Sequence, residues 1–163
     1  MNNSPIGVYD SGFGGLSVWR EIHRRLPEES LLYLGDGKNC PYGGRSREEI
    51  TAFAREAVER LISEGVKMVV VGCNTATTAA VDALRAEWPD IPIVGLEPAV
   101  KPACLSSRTR RIAVLATAHS LQSDMFLNTA RRYAADVEVI KVEGRGFVEL
   151  VEASEEDSPK AER

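Results

Sequence analysis

Three short stretches of this 163-residue sequence hold side chains that could do chemistry. "YDSGFGG" (9–15) carries a carboxylate and a hydroxyl, Asp10 and Ser11, ahead of a glycine-rich run. "CPYGG" (40–44) carries Tyr42 and Gly43. "VVVGCNTATTAA" (69–80) runs an apolar segment straight into Cys73, Asn74 and Thr75 and then into a helical pattern. A thiol at the point where an apolar run stops falls where open α/β sheets bind their ligands, outside the carboxyl ends of the strands. Asp10 could take an ammonium group. Ser11, Thr75 and backbone N–H groups could take a carboxylate, with Cys73 facing the carbon between them. A free thiol with a pKa near 8.5 is only about 3% thiolate at pH 7. The N-terminus of the helix after Thr75 is expected to lower that value and make the sulfur a better base or nucleophile.

Each residue also has a plainer role. A lone cysteine after a strand is more often a small buried residue. Asp10 could cap the helix that starts near Gly15, and the glycines could serve only the turn. Cys40 and Cys104 read as structural or incidental, although Cys40 lies beside the loop of Tyr42. His23 and His119 have no partner at metal-ligand spacing and there is no C-x-x-C pair, so no metal site is expected. Gly12-x-Gly14-x-x-Ser17, with Asp36 after the second apolar run, approximates a dinucleotide fingerprint and would mean a nicotinamide-dependent oxidoreductase. Ser17 in place of the third glycine, and the charge of Asp10 near where a pyrophosphate would lie, count against it.

These residues need a frame. Apolar runs predict strands at 5–9, 31–35, 66–72 and 91–96, with helices over 16–26, 47–64 and 76–88 between them. Ser46 and Glu49 have capping-box spacing, Gly65 suits the position after a helix, and Pro89 stops the third helix. Alternating strands and helices indicate an α/β fold with a doubly wound parallel sheet. This first domain, 1–97, reads as complete or nearly so. A short helix at 97–107, strands at 110–117 and 136–142, and helices over 120–133 and 147–152 begin the pattern again. The second α/β domain, 98–163, is therefore expected to be incomplete. Its end, from Glu152 on, has five acids, two bases and no apolar run, and reads as solvated or frayed.

Composition narrows the partners. The net charge is -4, with 27% charged and 44% hydrophobic residues, which is ordinary for a globular chain. No basic stripe stands out, so nucleic acid and anionic membranes fit poorly as partners. No segment reaches the length of a membrane span, and the first residues lack the pattern of a signal peptide. Three scattered cysteines argue against a disulfide framework and point to a reducing cytoplasm.

Taken in order, "GVYDSGFGGLSV" (7–18), "PYG" (41–43), "GCNTA" (72–76) and "EPAV" (97–100) resemble the glutamate racemases of the aspartate/glutamate racemase superfamily, over essentially the whole chain. The resemblance implies interconversion of L- and D-glutamate without a cofactor, supplying D-glutamate for peptidoglycan. It implies two pseudo-symmetric α/β domains that hold glutamate between two cysteines on opposite faces of the α-carbon. Cys73 would be the first of these acid/base groups, with Asp10 as its catalytic partner, orienting the thiol or receiving its proton. Asp10, Ser11, Tyr42, Gly43, Asn74, Thr75, Thr117 and Glu152 would contact the substrate. A cytoplasmic homodimer with glutamate as its small-molecule partner would follow.

The sequence departs from the family pattern at Gly37, where a small hydroxyl residue is usual, and at "EGRGF" (143–147), where many members carry a Cys-Pro segment. It contains no match to the family's second cysteine motif, Cys-Thr-His-Tyr. It is therefore read as an N-terminal portion whose own activity is doubtful. Two alternatives follow: a non-catalytic amino-acid-binding fragment, or a racemase of another small acid such as aspartate, decided by the loop around Tyr42.

Overall fold

The computed structural model describes residues 3–155 and 157–161. The chain divides into two compact units, one ending at Leu96 and the other starting at Glu97. In the first, β1 (Ile6–Asp10), β2 (Leu31–Gly35), β3 (Met68–Val71) and β4 (Ile93–Gly95) form a parallel sheet in the order β2-β1-β3-β4. They are joined by α1 (Gly15–Arg25), α2 (Arg47–Ser63) and α3 (Asn74–Glu87). The chain steps outward from β1 to β2, then returns past β1 to β3 and on to β4. Right-handed crossovers place helices on both faces when the direction reverses in this way. Ile6, Val8 and Val70 accordingly pack on Val18, Trp19 and Ile22 of α1. On the other face, Gly7 lets α2 approach: a Cβ there would lie 3.1 Å from Leu61 Cδ1. Val69, Val71, Leu61 and Leu84 are fully buried, each contributing about 1.5–3 kcal/mol by leaving water.

Local chemistry sets the helix ends. Ser46 Oγ accepts from the Glu49 N–H at 3.2 Å, and the Glu49 carboxylate accepts from the Ser46 N–H at 2.9 Å, the reciprocal box expected from their spacing. Gly65 closes α2 at φ +79°, in the left-handed region that glycine adopts without a Cβ penalty.

The second unit holds α4 (Val100–Ser106), β5 (Arg111–Ala116), α5 (Ala118–Gln122), α6 (Asp124–Tyr133), β6 (Glu138–Glu143) and α7 (Phe147–Glu152). β5 and β6 pair in parallel. Ile112, Val114 and Val139 pack on a core of Val100, Cys104, Leu121, Phe126 and Val137. The alternate positions Leu115, Ile140 and Val142 are exposed.

The α/β class and the parallel sheet are as the sequence predicts. Several boundaries differ. The third strand is shorter than 66–72, and the third helix starts at Asn74 instead of 76, because Cys73 itself caps it. The helix expected over 120–133 breaks at Ser123, which is extended and caps α6 through Phe126 N at 3.2 Å. The chain after α7 is not simply frayed among the described residues: the Glu155 N–H returns to Leu150 O at 2.8 Å, and Lys160 pairs with Glu155. Glu156, Glu162 and Arg163 lie outside the described residues. No helix among the described residues is long and apolar enough to cross a membrane.

Candidate active site

The strand order reverses between β1 and β3, and the crevice at their carboxyl ends is where such sheets bind ligands. Asp10 ends β1, Ser11 follows it, and Cys73 lies two residues past β3. Ser11 Oγ and Cys73 Sγ are 3.4 Å apart. Asp10, Ser11, Cys73 and Thr75 are all buried, at 6–9% exposure.

Cys73 is the N-cap of α3, and its sulfur accepts from the Ala76 N–H at 3.4 Å. The nearby Ser11 backbone N–H acts in the same direction. These donors favour the thiolate, as a helix N-terminus should. They are outweighed. Burial pushes the Cys73 thiol up, and the nearby Asp10 charge pushes it the same way. The expectation of a lowered thiol pKa is thus overturned: a charge in a desolvated site beside a carboxylate costs more than three donors return.

Asp10 precedes the N-cap position of α1. The N-cap is Gly14, and Asp10 Oδ1 accepts from the Gly12 N–H at 2.7 Å, inside the turn. Gly15 makes room for it: a Cβ at Gly15 would lie 2.6 Å from Asp10 Cβ. Tyr33 ties the same turn to β2 by donating to Gly12 O at 2.7 Å.

Tyr42 turns inward. It is 1% exposed, its ring is tilted on Phe53 at 5.6 Å, and its hydroxyl meets Tyr9 Oη and Asp36 Oδ2, each at 2.7 Å. Only its backbone is left for a ligand. Gly43 beside it is half-buried, and no partner for its N–H exists among the described residues. Asn74 is exposed in the first turn of α3, and its side-chain amide has no partner among the described residues.

Thr117 and Glu152 belong to the second unit. Thr117 caps α5, accepting from the Ser120 N–H at 3.3 Å and donating to Ser120 Oγ at 3.1 Å. Glu152 ends α7, half-buried. Cys104 lies in the apolar core of that unit, and His23 stacks on Trp19 at 5.5 Å. No group of three or more His, Cys, Asp or Glu among the described residues could hold a metal.

Tyr9 and the part played by Asp36 escaped the sequence reading. The available signal was a tyrosine inside a buried strand, whose hydroxyl must find a partner. A cavity of about 570 Å³ flanks α2, lined by Leu34, Asp36, Lys38, Phe53, Glu56 and Arg60 among others. It contains none of Asp10, Ser11 or Cys73, and the Asp36 carboxylate in its wall is already taken by Asn39 and Tyr42.

The fold and site define a parallel α/β protein with a buried thiol and a carboxylate at the sheet's switch point. A family model described as Asp/Glu/hydantoin racemase matches residues 6–163, and the chain belongs to that family. It is 49% identical over 155 residues to a glutamate racemase of Stutzerimonas stutzeri, covering 95% of this chain and 59% of that protein. The glutamate racemase isoform RacE1 of Bacillus anthracis superimposes with a TM-score of 0.86 at 38% identity, over 98% of this chain and 60% of that one. The Escherichia coli glutamate racemase, crystallised with L-glutamate and the activator UDP-MurNAc-ala, superimposes with a TM-score of 0.85 at 33% identity, over 93% of this chain and 57% of that one. The sequence thus spans about three fifths of the length of these relatives.

Proposed function

We propose that this chain carries one half of a glutamate racemase site, in which Cys73 exchanges the α-proton of glutamate from one face. The observation that carries the reading is the Ser11–Cys73 contact at the β1/β3 switch point, with the Asp10 carboxylate beside it. The L-glutamate bound to the Escherichia coli relative supports the substrate.

In this reading Asp10 receives the substrate ammonium. The first turn of α3, with Asn74 and Thr75, receives a carboxylate, as helix N-termini do. Ser11 and the backbone of Tyr42 and Gly43 complete the contacts of the first unit, and the family resemblance alone extends the proposal to Thr117 and Glu152. The raised thiol fits the task. In the free protein Cys73 holds its proton, ready to donate it to an α-carbanion. When an ammonium neutralises Asp10, the repulsion that disfavours the thiolate disappears, and the Ser11 and Ala76 donors remain. Substrate binding thereby brings the sulfur toward the state that abstracts a proton. General-base catalysis of this kind supplies about 10² to 10⁴ in rate. The reaction needs no cofactor or metal. Inversion needs a second thiol on the opposite face, from the Cys-Thr-His-Tyr motif that this sequence does not contain. The wider reading is a cytoplasmic homodimer that supplies D-glutamate for peptidoglycan.

The test is NMR of L- and D-glutamate, separately, with the protein in deuterated water, beside a Cys73→Ala control. Loss of the α-proton signal without inversion, abolished in the control, is expected of the half-site. Exchange with inversion would show a complete racemase within these residues. Binding of glutamate without exchange would instead make the chain a binding module.

A further inference from the structure

Tyr9, Tyr42 and Asp36 form a directed hydrogen-bond chain. Tyr42 donates to Asp36 Oδ2 at 2.7 Å, so its single proton is committed. The 2.7 Å contact between the two phenols must then have Tyr9 as donor and Tyr42 as acceptor. Asn39 closes the far end by donating from its side-chain amide to both Asp36 oxygens, at 3.1 and 2.9 Å. The near end is fixed just as firmly. Tyr9 is 0% exposed in the central strand β1, and its carbonyl accepts from the Gly72 N–H at 2.7 Å, one residue before Cys73. Asp36 is tied to the same strand by donating its N–H to Asp10 O at 2.9 Å. Two of these bonds, Tyr9 to Tyr42 and Asp36 N–H to Asp10 O, join the 36–42 loop to β1, and the bonds of Tyr42 and Asn39 to Asp36 close the loop on itself.

A surface loop next to a site does not need a fully buried tyrosine to close its turn; Arg45 N to Tyr42 O at 3.0 Å already does that. We infer that Tyr9 and Asp36 are positioning residues, which hold the Tyr42 phenol from below and so fix the backbone of Tyr42 and Gly43 relative to Cys73. This rests on the racemase reading for what the loop contacts, though not for the anchoring itself.

Four variants of the chain, Tyr9→Phe, Tyr42→Phe, Asp36→Ala and Asp36→Asn, test it with two readouts. The first is hydrogen exchange at the Arg45 amide, with the amides of β3 as the reference for intact folding. The second is the glutamate dissociation constant by calorimetry. Tyr42→Phe, which loses the bonds to Tyr9 and Asp36, and Asp36→Ala, which loses those from Tyr42 and Asn39, are expected to speed Arg45 exchange and weaken glutamate by about tenfold or more each. Tyr9→Phe is expected to have a smaller effect in both. Asp36→Asn keeps an acceptor oxygen for Tyr42 and should fall between the parent and Asp36→Ala in both readouts, since a neutral acceptor retains about half of a charge-assisted bond. Unchanged Arg45 exchange in Tyr42→Phe and Asp36→Ala would overturn the anchoring. Faster exchange with unchanged glutamate affinity would overturn the positioning role and leave a structural one. If the parent chain binds no glutamate, the functional reading fails separately, and the Arg45 exchange alone decides the anchoring.

Discussion

Ser11 and Cys73 meet oxygen to sulfur at 3.4 Å across 62 residues of sequence. The contact exists because β1 and β3 are hydrogen-bonded neighbours although β2 lies between them in the chain. It places a thiol under opposing influences: burial and Asp10 hold its proton, while Ser11 and the first turn of α3 favour its loss.

The first prediction concerns that balance. Alkylation of Cys73 by iodoacetamide is expected to be slow at neutral pH and to rise with pH beyond the range of a free thiol, which ionises near about 8.5. In Asp10→Asn the profile should move to lower pH, because a repelling charge has gone. Mass spectrometry of the labelled Cys73 peptide across a pH series measures both. A profile that stays in place in Asp10→Asn would mean that burial alone sets the thiol.

The same shift reaches stability. A thiol raised in the folded protein keeps its proton after the unfolded chain has begun to lose its own, from about pH 8.5. The unfolded state then binds fewer protons, so stability falls as pH rises from there toward the folded value, and is unaffected below it. Thermal melts should show a steeper alkaline decline in the parent than in Cys73→Ala. Parallel declines would contradict the raised thiol. Tyr9 and Tyr42, both raised chiefly by burial, add a further decline above about pH 10, common to both proteins.

Gly15→Ala is expected to cost about 1–3 kcal/mol, the usual penalty of overpacking, because its Cβ would lie 2.6 Å from Asp10 Cβ. Relief requires the β1 end or the start of α1 to shift, so the variant should also change Cys73 alkylation. Urea unfolding with alkylation kinetics tests both parts. A lowered midpoint with unchanged Cys73 reactivity would mean that the shift is absorbed in α1.

Ser46→Ala removes one arm of the capping box of α2 and is expected to cost about 1 kcal/mol. Cys73 alkylation should change little, since α2 is also held to α3 by Arg47 Nε donating to Ala79 O at 3.1 Å. Glu49→Gln should lose less, because an amide oxygen still accepts from the Ser46 N–H.

The four strands of the first unit and the helices between them were legible because their determinants are local. Apolar runs of strand length, the Ser46–Glu49 pair, Gly65 and Pro89 act within a few residues of themselves. Asp10, Ser11 and Cys73 were legible for a related reason: each stands where an apolar run gives way to polar residues at a strand end. The boundaries at Ser123 and Cys73 were missed because both are N-caps without the acidic partner three residues on that marks Ser46. A cap is defined by which N–H its side chain reaches, and apolar periodicity carries no trace of that.

The sequence by itself determined which residues could serve and roughly where each element lies. Tertiary structure alone decided the state of the thiol and the use of Tyr42. A helix N-terminus is visible in a sequence and argues for a lowered thiol pKa. The desolvation and the Asp10 charge that reverse the sign depend on how β1 and β3 sit side by side. The inward turn of Tyr42 likewise depends on Tyr9 and Asp36, which come to it from two different strand ends. Burial and charge proximity are sums over neighbours in space, and only the packed sheet makes those residues neighbours.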